Sequence, residues 1–273
     1  MNKFRAPSFS LIYELNIELI CYILIWQFLK KVVIVVKKKH LFWIIPIGIL
    51  IIAVIGFFIY TAFYYHADSI AYESLKSNSD VEVTKIDSYY FFDSTSESDA
   101  VIIYPGAKVE TEAYAPLCMS MAEKGVDVFL VDMPFHFAFF GMNRASDIIN
   151  KYSYEHYYVG GHSLGGAIAA KYGLNNSDKI DGVIMLAAYS VDKLDNKLNN
   201  ILIYGSNDKV LNKKRYDETL GNSSNYIEHI ITGGNHAGFA YYGNQKGDGN
   251  LEITREEQIE ETSNTIVDRI LCK

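Results

Sequence analysis

The chain has 273 residues, 49% of them hydrophobic, and nearly all of the apolar excess lies before residue 66. That leader carries Lys3, Arg5, Lys30, Lys31, Lys37, Lys38 and Lys39 against Glu14 and Glu18. This leaves 18 basic and 30 acidic residues, a formal charge of −12, for residues 66–273. Such a surface repels phosphate backbones and argues against a nucleic-acid partner. Cys21, Cys118 and Cys272 form no CxxC or Cys/His spacing that would hold zinc.

Residues 1–40 read as an N-terminal segment of open structure with a basic flank. Leu11 to Leu29 is apolar but broken by Glu14 and Glu18, each costly at membrane depth. Residues 8–36 are therefore a poor second span, an amphipathic surface helix or no structure at all. Val36 directly precedes the lysine cluster, and a valine codon can serve as a bacterial start, so residues 1–35 also read as an over-extended frame. The cysteines read as unpaired small hydrophobes, with a Cys118–Cys272 disulfide left open.

Leu41 to Tyr65 is 25 residues without an acidic or basic side chain, and a bilayer core needs about 20. Trp43 lies near one end and Tyr60, Tyr64 and Tyr65 near the other, where interfacial aromatics belong. Pro46 is close to the start of the run, where a missing N–H costs little. The run is too long for a signal peptide, and no A-x-A site follows it. Residues 41–65 are thus expected to be an uncleaved transmembrane helix. Lys37 to Lys39 predict a cytoplasmic N-terminal side, with residues 66–273 outside the cell membrane on a single-pass anchor.

Within residues 66–273, Val81–Asp87 and Tyr89–Phe92 predict two antiparallel strands. Short apolar runs follow at Ala100–Tyr104, Val126–Val131, Tyr157–Gly160, Gly182–Ala187, Ile201–Tyr204 and Tyr226–Ile231. Helical patterns alternate with them at 111–124, 143–151, 164–174, 212–220 and 254–271. Continuous apolar strands between helices imply a mostly parallel sheet covered on both faces, a three-layer α/β domain with right-handed crossovers. The insertions are short, which argues against a large lid.

Between the run ending at Gly160 and the next helix stands Gly161-His162-Ser163-Leu164-Gly165, a G-x-S-x-G spacing. Its glycines allow a tight strand-to-helix turn that lifts the Ser163 hydroxyl above the sheet edge. A serine nucleophile needs a base, and the base an orienting acid. Asp208 is the first carboxylate after Ile201–Tyr204, and His236 follows Tyr226–Ile231, so both lie on loops at strand C-terminal ends. Asp192 and Asp195, one strand earlier, are the rival acids. His162 points elsewhere in the turn, His229 lies inside a strand, and Asp178 and Asp181 precede one. For an oxyanion, the Leu164 N–H is one expected donor and the Ala107 N–H, in Pro105-Gly106-Ala107-Lys108, the other. Lys108 reads as a solvated loop charge and Asp132 as a turn or cap residue. Phe135, Phe137, Phe139 and Phe140 read equally as core or as an acyl-pocket wall.

At these residues the chain resembles the α/β-hydrolase superfamily, in a bacterial branch related to the dienelactone-hydrolase-like proteins. The resemblance runs over about residues 67–273. It rests on Tyr104-Pro105-Gly106-Ala107-Lys108-Val109, Glu112 to Leu117, Met133-Pro134, Gly160 to Gly166 and Gly205 to Asp208. It continues through Gly233 to Ala237, Gly247-Asp248-Gly249 and Arg255 to Gln258. It implies a triad of Ser163, Asp208 and His236 without a cofactor, although Ser163 stands where dienelactone hydrolases resemble cysteine enzymes. The expected function is hydrolysis of a carboxylic ester, thioester or related acyl bond of a small-molecule substrate, on a membrane-anchored chain. The alternative is a non-catalytic, membrane-tethered binding protein of the same fold.

Overall fold

The computed structural model describes residues 20, 22–31, 38–94, 96 and 98–271, in two compact units divided between Tyr60 and Thr61. The readings for residues 8–19 and for Val36 as a start fall outside the described residues, as do Lys37, Cys21 and Cys272. Residues 22–31 are helical, followed by α1 (Lys38–Ala62). Trp43 to Ala62 is long and apolar enough to cross a membrane, since 20 residues at 1.5 Å per residue span about 30 Å. Ile49, Ile52, Ile55 and Ile59 are all exposed along it. One expectation needs correcting. The helix starts at Lys38, so Pro46 lies two turns inside it, where its missing N–H leaves the Phe42 carbonyl without a helical donor.

The second unit is built on one eight-stranded sheet. Its strands are β1 (Glu82–Ile86), β2 (Tyr89–Asp93), β3 (Asp99–Tyr104), β4 (Asp127–Val131), β5 (His156–His162), β6 (Gly182–Leu186), β7 (Asn200–Gly205) and β8 (Tyr226–Ile231). Their order is β1-β2-β4-β3-β5-β6-β7-β8. β1 and β2 are antiparallel to each other, and β2 to β4, while β3 to β8 and β4 run parallel. β1 is short, half exposed and carries Lys85 and Glu82, which discourages edge-to-edge pairing.

The period-2 alternation of each strand decides which core it serves. Val101, Ile103, Val128, Leu130, Ile201 and Ile203 pack on one face, against α3 (Ala115–Ala122) and α7 (Arg255–Leu271). Ile102, Phe129, Val159, Met185 and Leu202 pack on the other. There they meet α4 (Arg144–Lys151), α5 (Leu164–Asn175) and α6 (Lys213–Thr219). The short helix α2 (Ser69–Glu73) precedes β1 and is capped by the Asp68 carboxylate.

The expected helix over 111–124 is instead a 3₁₀ turn at Thr111–Tyr114 leading into α3. Pro116 explains the break, because it has no N–H with which to continue the turn before it. α7 starts at a capping box, in which the Glu257 N–H donates to Thr254 Oγ1 and the Thr254 N–H to the Glu257 carboxylate. Cys118 is a free thiol in the core, and burial pushes its pKa well up.

Candidate active site

β5 ends at His162 and α5 begins at Leu164, so Ser163 alone makes the turn, with φ 53° and ψ −122°. A non-glycine residue held there stores strain on the order of 1–3 kcal/mol. The surroundings impose it: the Ser163 N–H donates to the Leu186 carbonyl at 2.8 Å, and the Ser163 carbonyl accepts from Ala167 at 3.1 Å. The flanking glycines let the elbow reach the end of β3. A Cβ on Gly165 would collide with the Tyr104 and Pro105 carbonyl oxygens, and one on Gly161 would lie 2.5 Å from the Tyr104 oxygen.

Asp208 and His236 meet above the same edge. His236 Nδ1 lies 2.8 Å from Asp208 Oδ2, with side chains 2% and 1% exposed. Because a carboxylate only accepts, the proton sits on Nδ1 and Nε2 keeps its lone pair. The other Asp208 oxygen accepts from the Val210 and Leu211 N–H groups, each at 2.8 Å, which fixes the carboxylate against rotation. His236 Nε2 is buried with no hydrogen-bond partner. The His236 ring lies 4.5 Å from that of His162, the residue directly before Ser163.

Three supports of this pair are invisible in local sequence. Gln258, fully buried on α7, accepts from the Asn235 N–H at 3.0 Å and donates to the Asn235 carbonyl at 2.8 Å. Asp248 accepts from the Ala237 N–H at 2.9 Å and from the Lys209 N–H at 3.3 Å, tying the residue after His236 to the residue after Asp208. The Asn235 side chain donates to the Gly249 carbonyl and accepts from the Gly238 N–H. The Gly247-Asp248-Gly249 and Gln258 signals were present in the sequence, but their partners lie 11 to 39 residues away.

The loop after β3 has a support of its own. The Gly106 N–H donates to the Tyr114 oxygen at 3.0 Å, which leaves the Tyr114 hydroxyl proton for His162 Nδ1, 2.7 Å away. Burial, followed by the nearness of His236, holds the His162 pKa well below the usual 6.5, so this ring is neutral. The Gly106 donor is thus spent inside the protein. The N–H groups of Ala107 and Leu164 have no hydrogen-bond acceptor among the described residues, Leu164 because it opens a helix. Lys108, at φ 58°, donates its N–H to the His136 carbonyl at 2.8 Å.

The rival residues are engaged elsewhere. Asp192 pairs with Lys171 at 3.0 Å on the surface, and exposed Asp195 accepts from Ser177 and the Lys197 N–H. His229 pairs with Glu261, Asp181 with His156, and Asp132 accepts from the Thr111 hydroxyl. Phe135, Phe139 and Phe140 are 43%, 52% and 44% exposed, too open for core or for the wall of an enclosed acyl pocket. Among the described residues no group of three or more His, Cys, Asp or Glu could hold a metal ion.

Residues 100–260 match the sequence model of the alpha/beta hydrolase family. Among solved structures, the chain is similar to a predicted CIB-like hydrolase from Thermoplasma acidophilum, with 16% identity and a TM-score of 0.52 over 70% of this chain and 98% of that one. It is also similar to Est1E from Butyrivibrio proteoclasticus, with 14% identity and a TM-score of 0.51 over 70% and 99%. A novel esterase from Mycobacterium tuberculosis matches with 11% identity and a TM-score of 0.52 over 75% and 97%. At these identities the likeness is one of fold. No curated protein matches the sequence.

Proposed function

The chain belongs to the alpha/beta hydrolase family, and from that premise we propose that it is a serine hydrolase acting on a carboxylic ester or related acyl bond. The observation that carries this reading is the buried Asp208–His236 pair, whose Nε2 has no partner and whose ring lies 4.5 Å from that of His162, the residue before Ser163. Ser163 Oγ adds to the substrate carbonyl while His236 Nε2 takes its proton. The Ala107 and Leu164 N–H groups donate to the resulting oxyanion. Collapse expels the alcohol, which receives the proton from His236, and leaves an acyl-enzyme on Ser163. Water, deprotonated by His236, then releases the acid and restores the serine. Asp208 holds the Nδ1–H tautomer and stabilises the imidazolium formed in each half. No step needs a cofactor.

In the same reading, residues 41–65 anchor the enzyme in a cell membrane, and residues 66–273 work outside it. The lysines before Leu41 support that orientation. Protease added outside intact cells is expected to remove the domain, and full protection would reverse the orientation.

Fluorophosphonate labelling tests the chemistry. The label is expected on Ser163 alone, with ester turnover abolished in Ser163→Ala. A label on a different serine, or an active alanine variant, would sink the proposal.

A further inference from the structure

β3, β4, β5, β7 and β8 are parallel, so the loops that follow them leave one edge of the sheet. That edge holds Ala107, Ser163, Asp208 and His236. It also holds the loop after β4, where Met133 to Asn143 is eleven residues with four phenylalanine rings and no acidic or basic side chain apart from His136. In a domain of charge −12, this is an unusual surface. The rings touch one another, with centroids 5.4 Å apart for Phe135 and Phe140, 4.0 Å for Phe139 and Phe140, and 5.8 Å for Phe137 and Phe139.

Two consecutive residues at positive φ, Phe135 at 56° and His136 at 58°, make the turn that carries this patch. They leave Phe135 exposed while the His136 ring stacks on Tyr64 at 3.9 Å. Tyr64 is only two residues beyond Ala62, the end of the apolar helix, a reach of at most about 7 Å. The segment after it has no slack. The Tyr65 N–H donates to the Lys108 carbonyl at 2.7 Å, and the Tyr65 carbonyl accepts from Glu110 at 2.9 Å. The Ala67 N–H donates to the Glu110 carboxylate at 2.7 Å, and the Asp68 N–H to the Tyr241 carbonyl at 3.0 Å. The first residues of the second unit are therefore pinned to the loop that carries Ala107.

We propose that the Phe135–Phe139–Phe140 patch is seated in the acyl–headgroup boundary of the bilayer that holds α1, and that the site takes its acyl ester from that bilayer. The substrate half rests on the serine-hydrolase reading above; the seating does not. An exposed aromatic patch in the unit that follows an apolar helix gains most by entering the interface, where apolar area is buried.

The test uses the full-length chain reconstituted in phosphatidylcholine vesicles, with a long-chain fluorogenic ester dissolved in the bilayer or a short water-soluble ester added outside. Phe135→Ser/Phe139→Ser/Phe140→Ser is expected to lower turnover of the bilayer ester by about tenfold or more and of the soluble ester by less than about twofold. Seating is read separately, without catalysis. In a Trp26→Phe/Trp43→Phe background, the emission of Phe139→Trp is expected to be quenched by brominated lipid. Absent quenching overturns the seating, including the case in which a second copy covers the patch. Unchanged turnover of both esters by the triple variant, or a wild type that takes only the soluble ester, overturns the substrate class and leaves the hydrolase reading standing. A wild type that turns over neither ester overturns the hydrolase reading and the substrate class, while the quenching still decides the seating. Loss of both activities in the triple variant is likewise decided by the quenching.

Discussion

The loop after β8 and the loop after β4 leave the same edge of the sheet and are built in opposite ways. Around His236, both polar groups of the Asn235 backbone, the Ala237 N–H and both Asp208 oxygens are hydrogen-bonded by residues from α7 or neighbouring loops. The β4 loop has short-range turn bonds, the Lys108 N–H on its His136 carbonyl, and then half-exposed rings. The difference follows from what each surface must do. Proton transfer needs donor and acceptor held within a few tenths of an ångström, whereas apolar contact needs area and is nearly indifferent to direction.

The sharpest way to break this comparison is to disturb the group held most firmly. Asp208→Asn is expected to lower kcat by about 10⁴ with KM nearly unchanged, because the amide presents the wrong partner to Nδ1. Asp192→Asn and Asp195→Asn, at surface positions, should have small effects. Steady-state kinetics on variants shown folded by thermal melts would decide it, and most of the activity surviving in Asp208→Asn would mean that the acid is misassigned.

Gln258→Leu comes next. It leaves the buried Asn235 N–H and carbonyl without partners, and a loss of about 3 kcal/mol is expected in chemical denaturation, at roughly 1–3 kcal/mol for each orphaned group. A loss below about 1 kcal/mol would show that water replaces the clamp.

The third expectation concerns acid. The His162 pKa is held below the usual 6.5 in the folded state, so the unfolded chain binds a proton that the folded chain refuses. Stability from this group is fully present above about pH 6.5. It falls as pH drops towards the depressed value, by up to about 1.4 kcal/mol per pH unit. His162→Gln should flatten that slope in melts between pH 7 and 5, and His136, shifted in the same direction by burial, contributes to what remains. The smallest effect is expected at the β4 loop. The triple Phe→Ser variant should change stability in detergent by no more than about 0.5 kcal/mol, and a large loss would show that the rings are part of the core after all.

Much of this architecture was legible beforehand. Every expected strand is present within two residues of its expected bounds, because period-2 burial writes itself into the order of side chains. The turn at Ser163 was readable because it needs glycines at fixed spacing, and the meeting of Asp208 with His236 because parallel topology returns each chain end to one edge. Residues 111–124 were misread as continuous helix because the spacing of apolar residues there outweighed Pro116. The Phe135–Phe140 run could not be sorted, since apolar character alone does not say which way a turn at positive φ will send a ring.

The sequence by itself determined the layer order, the apolar helix and which loops can carry chemistry, since each rests on spacing within some ten residues. Only the tertiary structure decided that Gln258 and Asp248 frame His236, that His162 and Tyr114 prop the loop of Ala107, and that Tyr65 pairs with that same loop. Those contacts join residues 8 to 48 positions apart through one or two hydrogen bonds each. A hydrogen bond has no periodicity to leave in the chain, and its partner is chosen only when packing brings the two groups within about 3 Å.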